Sequence, residues 1–180
     1  MVEHINQIAV GDFPVRSRQE QAMEEKDHIS GVGNIVLNLQ ALESLLRGFL
    51  VEKYGQCSAF PKMGDKVACR NYLTNFASLG ELIRDYHRCL DDHEKKHRID
   101  ESVVLIRDAL AHGRLFARGG DPKPPFELWK FGKANGDGKM PVEFSETLTQ
   151  DWLKSKWLMI DGECQKVVEC SKARGYKRLR

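Results

Sequence analysis

Two stretches of this chain place acid, base or phosphate-binding residues at spacings that chemistry uses. The first is Arg107-Asp108-Ala109-Leu110-Ala111-His112-Gly113, an Arg-x4-His that closes an apolar helical segment. Arginine presents a permanent cation with a fork of donors suited to a phosphate. Histidine titrates near neutrality and passes protons to or from a ribose hydroxyl or a leaving oxygen. Positions five apart on a helix are separated by about 140° around it and about 7.5 Å along it, so the pair borders one cleft without stacking. Asp108 stands four residues before His112, a spacing that lets a carboxylate hold the second imidazole nitrogen and raise its basicity. Arg107, Asp108 and His112 are therefore the candidate catalytic set, for phosphodiester cleavage that needs no metal and no cofactor.

The spacing alone is permissive. With 13 arginines and 6 histidines in 180 residues, chance supplies about 0.4 matches of this length, and Arg88 to His93 is a second one. Context separates the two: Arg107 is followed by an acid and its partner sits at a helix end beside Gly113, whereas the partner of Arg88 falls in a charged run. The structural alternatives are a helix C-cap for His112 and an ion pair of Arg107 with Glu43 or Glu81.

The second stretch, His93-Glu94-Lys95-Lys96-His97, matches the H-E-x-x-H pattern in which two imidazoles one helical turn apart hold zinc and the glutamate activates its water. Asp100 or Glu101 would be the third ligand. Its surroundings, a run of acids and bases between two better helices, favour a solvated charged connection over a zinc hydrolase or a metal site.

Elements must position these residues. Val32, Ile35, Val36, Leu39, Leu42, Leu45, Leu46, Phe49 and Leu50 recur at three and four residues and predict a long amphipathic helix from near Ser30 to Gly55. Ser78 with Glu81 forms a capping box for a helix over Leu79–Asp91, and Asp100 is a plausible cap for a helix that ends at Gly113. Residues 56–65 read as a loop, and the segment after them as a short helix or irregular crossover. FELWKFG and MPVEF read as two short strands around the turn-rich Lys133–Lys139, and Thr149 caps a last helix ended by Gly175. The fold class expected is mainly α, one helical bundle with a small β-hairpin inserted before the last helix, in a single domain over residues 1–180.

Composition narrows the function class. A formal charge of +2, from 28 basic and 26 acidic residues, is far below what a dedicated duplex-binding module shows. The first 29 residues sum to −3 and residues 151–180 to +4, so the excess of positive charge is C-terminal. Lys172, Arg174, Lys177, Arg178 and Arg180 are either a phosphate-facing patch or a mobile basic tail over residues 172–180. Five cysteines without a Cys-x-x-Cys pair fit neither a disulfide framework nor a zinc ribbon, and read as reduced thiols of a cytoplasmic protein. No basic leader with a following apolar run and no long uncharged apolar segment is apparent, so no membrane association is expected. Tyr86, Trp129, Phe131, Trp152 and Trp157 are candidates to stack on unpaired bases, although aromatics at such spacings more often pack in a core.

The Arg107–Gly113 stretch, and more loosely LNLQALESLLRGFL and the Ser78–Asp91 helix, resembles the HEPN domain, a family of small helical domains found in prokaryotic toxins, phage-defence proteins and RNA-processing factors. The resemblance covers about half the chain, Ser30 to Gly113. It implies that Arg107 binds phosphate and stabilises the transition state, that Asp108 supports it, and that His112 is the general acid or base of a metal-independent endoribonuclease acting on single-stranded or loop RNA. It also implies a homodimer in which two motifs border one composite cleft, and an antitoxin or other defence protein as a further partner. Arg114 stands where many toxin members carry a tyrosine, and joins Lys172, Arg174, Lys177 and Arg178 as a candidate RNA-binding cation. The alternative is a non-catalytic helical module that binds RNA or protein through the same residues.

Overall fold

The computed structural model describes residues 18–56, 62–66, 71–117 and 123–176, with side chains from residue 25 onward. The elements are α1 (Arg18–Lys53), α2 (Leu79–Cys89), a 3-10 helix (Asp92–His97), α3 (Ser102–His112), β1 (Arg114–Ala117), β2 (Phe126–Phe131), β3 (Val142–Thr147) and α4 (Gln150–Ala173). The protein is mainly helical, with a small antiparallel sheet of order β1-β2-β3 placed before the last helix.

α1 begins at Arg18 rather than at Ser30. The residues from Gln19 to Lys26 are strong helix formers, and the polar Asp27-His28-Ile29-Ser30 that reads as a start is carried inside the helix. Gly31 is tolerated there for a packing reason. A Cβ at that position would lie 2.9 Å from Leu153 Cδ1, so the missing side chain lets α1 and α4 approach closely. The two helices run parallel: Leu153 meets Gly31, the Cys164 thiol donates to the Asn38 carbonyl (3.7 Å), and Tyr176 meets Phe49. Ile35, Leu42, Leu46 and Leu50 of α1 are wholly buried in one cluster with Leu82, Ile83 and Tyr86 of α2, Val103 and Ala109 of α3, and Ile160 and Val167 of α4. Residues 25–53 are also long and apolar enough, by length and composition, to cross a membrane, alone among the described helices. Burial of one stripe against the other helices accounts for part of its apolar character, since Ile29 and Leu37 of the same helix are each 63% exposed.

Two irregular connections are each organised by one arginine. Arg47 of α1 donates to the carbonyls of Tyr72 (2.6 Å), Asn75 (3.2 Å) and Ala77 (2.9 Å), to Asn75 Oδ1 (2.7 Å) and to Glu43. It thereby satisfies backbone groups of the crossover that no helix or strand satisfies. That crossover delivers Ser78, whose hydroxyl accepts from Glu81 N while Glu81 accepts from Ser78 N (2.7 Å), the capping box expected for α2.

The second connection is only partly the solvated charged run expected: Asp92, His93, Lys95 and Lys96 are exposed, but the segment is a 3-10 helix that buries Glu94 and His97, 4% and 6% exposed. Glu94 is doubly bonded by Arg174 of the α4 terminus, through Nε to Oε1 (2.7 Å) and through Nη2 to Oε2. Arg174 Nη2 also donates to the Cys89 carbonyl (2.6 Å), closing the end of α2, and the guanidinium rests 5.3 Å from the Phe49 ring. Tyr86 OH donates to the His97 carbonyl (3.2 Å), so the far end of the segment is pinned too. From there the chain enters α3 past Asp100, whose side chain accepts from Ser102 N (2.9 Å); the N-cap position is Glu101 rather than the expected Asp100, and Glu101 makes no side-chain capping bond.

The sheet has one strand more than the expected hairpin. β1 pairs with β2 from Arg114↔Trp129 to Ala117↔Phe126, immediately after α3. Its four residues are all exposed and show no alternation, so the sequence carries no strand signal there. Thr149 Oγ1 accepts from Trp152 N (3.1 Å) and caps α4, and Gly175, at φ 68°, terminates it as the left-handed position requires.

The Arg174 guanidinium holds the Glu94 carboxyl down at about 2, below its ordinary 4.5. A depressed carboxyl contributes stability that is present above pH ~4.5 and is lost as pH falls toward 2. Arg174→Ala, which strands a buried carboxylate, is expected to cost about 3 kcal/mol at pH 7. Urea unfolding at pH 7 and pH 3 checks this: the gap between wild type and variant narrows at pH 3, and an equal gap at both contradicts the assignment.

Candidate functional site

α3 sorts its residues by periodicity. Val103, Ile106 and Ala109 are buried and fix the helix against the core, which turns Arg107 and Asp108 to a half-exposed flank and His112 to solvent. Arg107 Nη1 donates to Asp108 Oδ1 at 3.0 Å, the two side chains being 36% and 32% exposed. Asp108 Oδ2 is also 3.9 Å from Lys130 Nζ of β2, and Lys130 bridges onward to Glu143 at 2.9 Å. The acid of the motif thus holds the arginine. Among the described residues it makes no bond to His112, which corrects the role expected from the four-residue spacing. The carboxylate is taken up by the two nearby cations, Arg107 and Lys130. Neither Glu43, which pairs with Arg47, nor Glu81, which serves the α2 cap, reaches Arg107.

His112 ends the helix with its imidazole exposed and without a hydrogen-bond or ion-pair partner among the described residues. The C-cap is made instead by the backbone: Gly113 N donates to the Ala109 carbonyl at 2.7 Å. Gly113 is the junction between helix and sheet. A Cβ there would fall 2.8 Å from Leu128 Cδ1 and 2.9 Å from the Trp129 carbonyl, and would also collide with the Ala109 carbonyl. Only a residue without a side chain lets the end of α3 seat on β2, so the position of His112 is set by that contact.

The candidate RNA-binding cations divide. Arg114 opens β1 one residue beyond Gly113 and is exposed, its guanidinium 5.8 Å from the Phe131 ring centre. Lys172 is exposed on the last turn of α4, the opposite end of that helix from the sheet. Arg174 is occupied internally by Glu94 and Cys89, its side chain only 12% exposed, so it is a structural cation and not part of a free tail. Lys177, Arg178 and Arg180 lie outside the described residues. Of the expected set, the structure joins Arg107 to Asp108, whereas His112 and Arg114 are exposed at the helix end and the start of β1 with no described contact to that pair. Lys130 is the member that sequence reasoning missed: its place opposite Asp108 depends on how β2 docks against α3.

The H-E-x-x-H match does not build a zinc site. In a 3-10 helix, residues four apart are rotated by about 120°, whereas in an α-helix they nearly stack. His97 Nδ1 instead faces Glu169 of α4 (3.8 Å). Ligand atoms of Asp91, His93 and Glu94 do cluster within 4.8 Å, but both Glu94 oxygens are held by Arg174, whose positive charge opposes a cation there. Three described cysteines, Cys89, Cys164 and Cys170, are buried and unpaired, and burial pushes the Cys164 thiol up to about 11, which removes it as a nucleophile. Cys57 and Cys69 lie outside the described residues.

No family model, no curated protein and no solved structure matches this chain. Its functional reading therefore rests on the geometry around α3 and on the motif itself.

Gly113→Ala is expected to lower stability by about 1–3 kcal/mol, the cost of overpacking a tight junction. Thermal unfolding measures it, and a variant as stable as wild type contradicts the close seating of α3 on β2.

Proposed function

We propose that this chain is a metal-independent endoribonuclease that cleaves single-stranded or loop RNA, in keeping with the resemblance of its motif to HEPN domains and with the toxin or phage-defence roles found in that family. The observation that carries the reading is His112: an exposed imidazole at the helix end, five residues after Arg107 in the chain, with no described partner and no capping duty to explain it. Arg107, fixed by Asp108, offers the forked cation that a phosphodiester requires, and Arg114 extends the positive edge.

The reaction uses the substrate's own nucleophile. The ribose 2′-oxygen attacks phosphorus while its proton passes to a base, the P–O5′ bond breaks, and the departing 5′-oxygen takes up a proton, leaving a 2′,3′-cyclic phosphate. His112 moves one of these protons, and Arg107 stabilises the charge that gathers on the non-bridging oxygens. A permanent guanidinium supplies the electrostatic stabilisation for which other nucleases recruit a metal ion. One chain offers one such imidazole, so a homodimer that brings two motifs to one cleft supplies both a base and an acid. Such a two-fold arrangement is also the commonest oligomeric solution.

The test is cleavage of a pool of structured RNAs with chelator present, by wild type, Arg107→Ala and His112→Ala, each shown by circular dichroism to be folded. Wild type is expected to leave cyclic-phosphate ends, and each variant to lose about 10²–10⁴-fold in rate. Silence of a folded wild type, or full activity in either variant, contradicts the proposal and favours a non-catalytic binding module.

A further inference from the structure

The sheet has two unlike faces. Phe126, Leu128 and Lys130 of β2 point toward the helices: Leu128 is 2% exposed within the core, Phe126 meets His28 edge-on at 5.3 Å, and Lys130 reaches Asp108. The residues between them, Glu127, Trp129 and Phe131, therefore stand on the opposite face, with Arg114 and Phe116 of β1, which pair across from Trp129 and Glu127. On that face the Phe116 and Trp129 rings lie 5.2 Å apart, the Trp129 and Phe131 rings 6.2 Å apart, and the Arg114 guanidinium 5.8 Å from Phe131. None of the three rings joins the core cluster; Phe116 is 40% exposed, and Trp129 and Phe131 are half-buried. The solvated face of an antiparallel sheet is ordinarily polar, so a row of three aromatics beside an arginine asks for an occupant.

We infer that this face is a stacking platform for unpaired bases of single-stranded RNA, its Arg114 end lying two residues along the chain from His112. The inference deepens the ribonuclease reading and rests on it for the direction in which the strand runs. Aromatic faces accept any base, and a neighbouring arginine tracks the backbone, the combination by which single strands are held without sequence preference. Arg114 favours a nucleic acid over an apolar protein partner, because it has no carboxylate partner among the described residues and a phosphate would satisfy it where an apolar surface would strip its water. Continuity favours it as well: Gly113 alone separates His112 from Arg114, and the end of α3 seats on the backbone of Trp129 itself.

The experiment measures binding of a fluorescent 2′-O-methyl oligonucleotide, which lacks the attacking hydroxyl, by anisotropy. Wild type, Phe116→Ala, Phe116→Trp and Arg114→Ala are compared, with cleavage of ordinary RNA assayed on the same preparations. Phe116→Ala is expected to weaken binding roughly tenfold and Phe116→Trp to retain it, as loss and replacement of one stack require. Arg114→Ala is expected to weaken binding and flatten its salt dependence. Unchanged binding in both alanine variants, or no binding by wild type, overturns the platform, the second result pointing to a protein occupant. Cleavage that depends on His112 in those same preparations would leave the ribonuclease reading standing. Ring-dependent binding without any cleavage would instead support the platform and remove the nuclease.

Discussion

The pair of Glu94 with Arg174 holds three chain segments at one point, and the rest of the architecture follows from it. Residues 92–97 are among the most charged in the chain, and while most of them face solvent, Glu94 is buried, which a carboxylate tolerates only if its charge is matched and its hydrogen bonds completed. Arg174 does both for Glu94, and its Nη2 also closes α2 at the Cys89 carbonyl. The terminus of α4, the end of α2 and the entry to α3 are thereby tied together, and Tyr86 adds a second pin at His97. With its start fixed in this way, α3 has one course across the core, along the buried stripe of Val103, Ile106 and Ala109.

The course of α3 ends on the sheet, and the candidate site lies there. Gly113 permits a contact that no other residue fits, β1 leaves directly from it, and β2 supplies Lys130 to the carboxylate that holds Arg107. The result is a helix end with a braced arginine on its flank and an unbraced histidine at its tip. That asymmetry suits the two roles. A group that stabilises charge gains from being held in place, and a group that transfers protons must reach both the substrate and the solvent. The aromatic face of the sheet begins at Arg114, two residues beyond His112, so the proposed platform and the candidate site are close in the chain.

Much of the helical frame was legible in the sequence, because it rests on local rules. The Ser78–Glu81 capping box, the Thr149 cap and the Gly175 terminator each depend on residues within a few positions of one another. The misses are long-range. Nothing near Glu94 announces a partner eighty residues away, so the charged run reads as solvated, and Arg174 reads as a tail residue for the same reason. β1 is too short and too uniformly exposed to show a period of two, and is a strand only because β2 lies beside it. In the candidate site, spacing identified Arg107, Asp108 and His112 but misassigned the carboxylate: helix geometry brought Asp108 within reach of His112, whereas Lys130 and Arg107 decided where its charge went. The alternation of Trp129 and Phe131 against Leu128 was present in FELWKF, yet which face met water became clear only with the sheet in place.

The central claim is that the Arg107–His112 end of α3 cleaves RNA through the substrate's own 2′-hydroxyl. The most direct measurement is digestion, with chelator present, of one RNA strand and of the same strand carrying 2′-O-methyl groups throughout, with the product ends read by mass spectrometry. The account predicts 2′,3′-cyclic phosphates from the first strand and an intact second strand. Cleavage of both strands, or of neither, would contradict it.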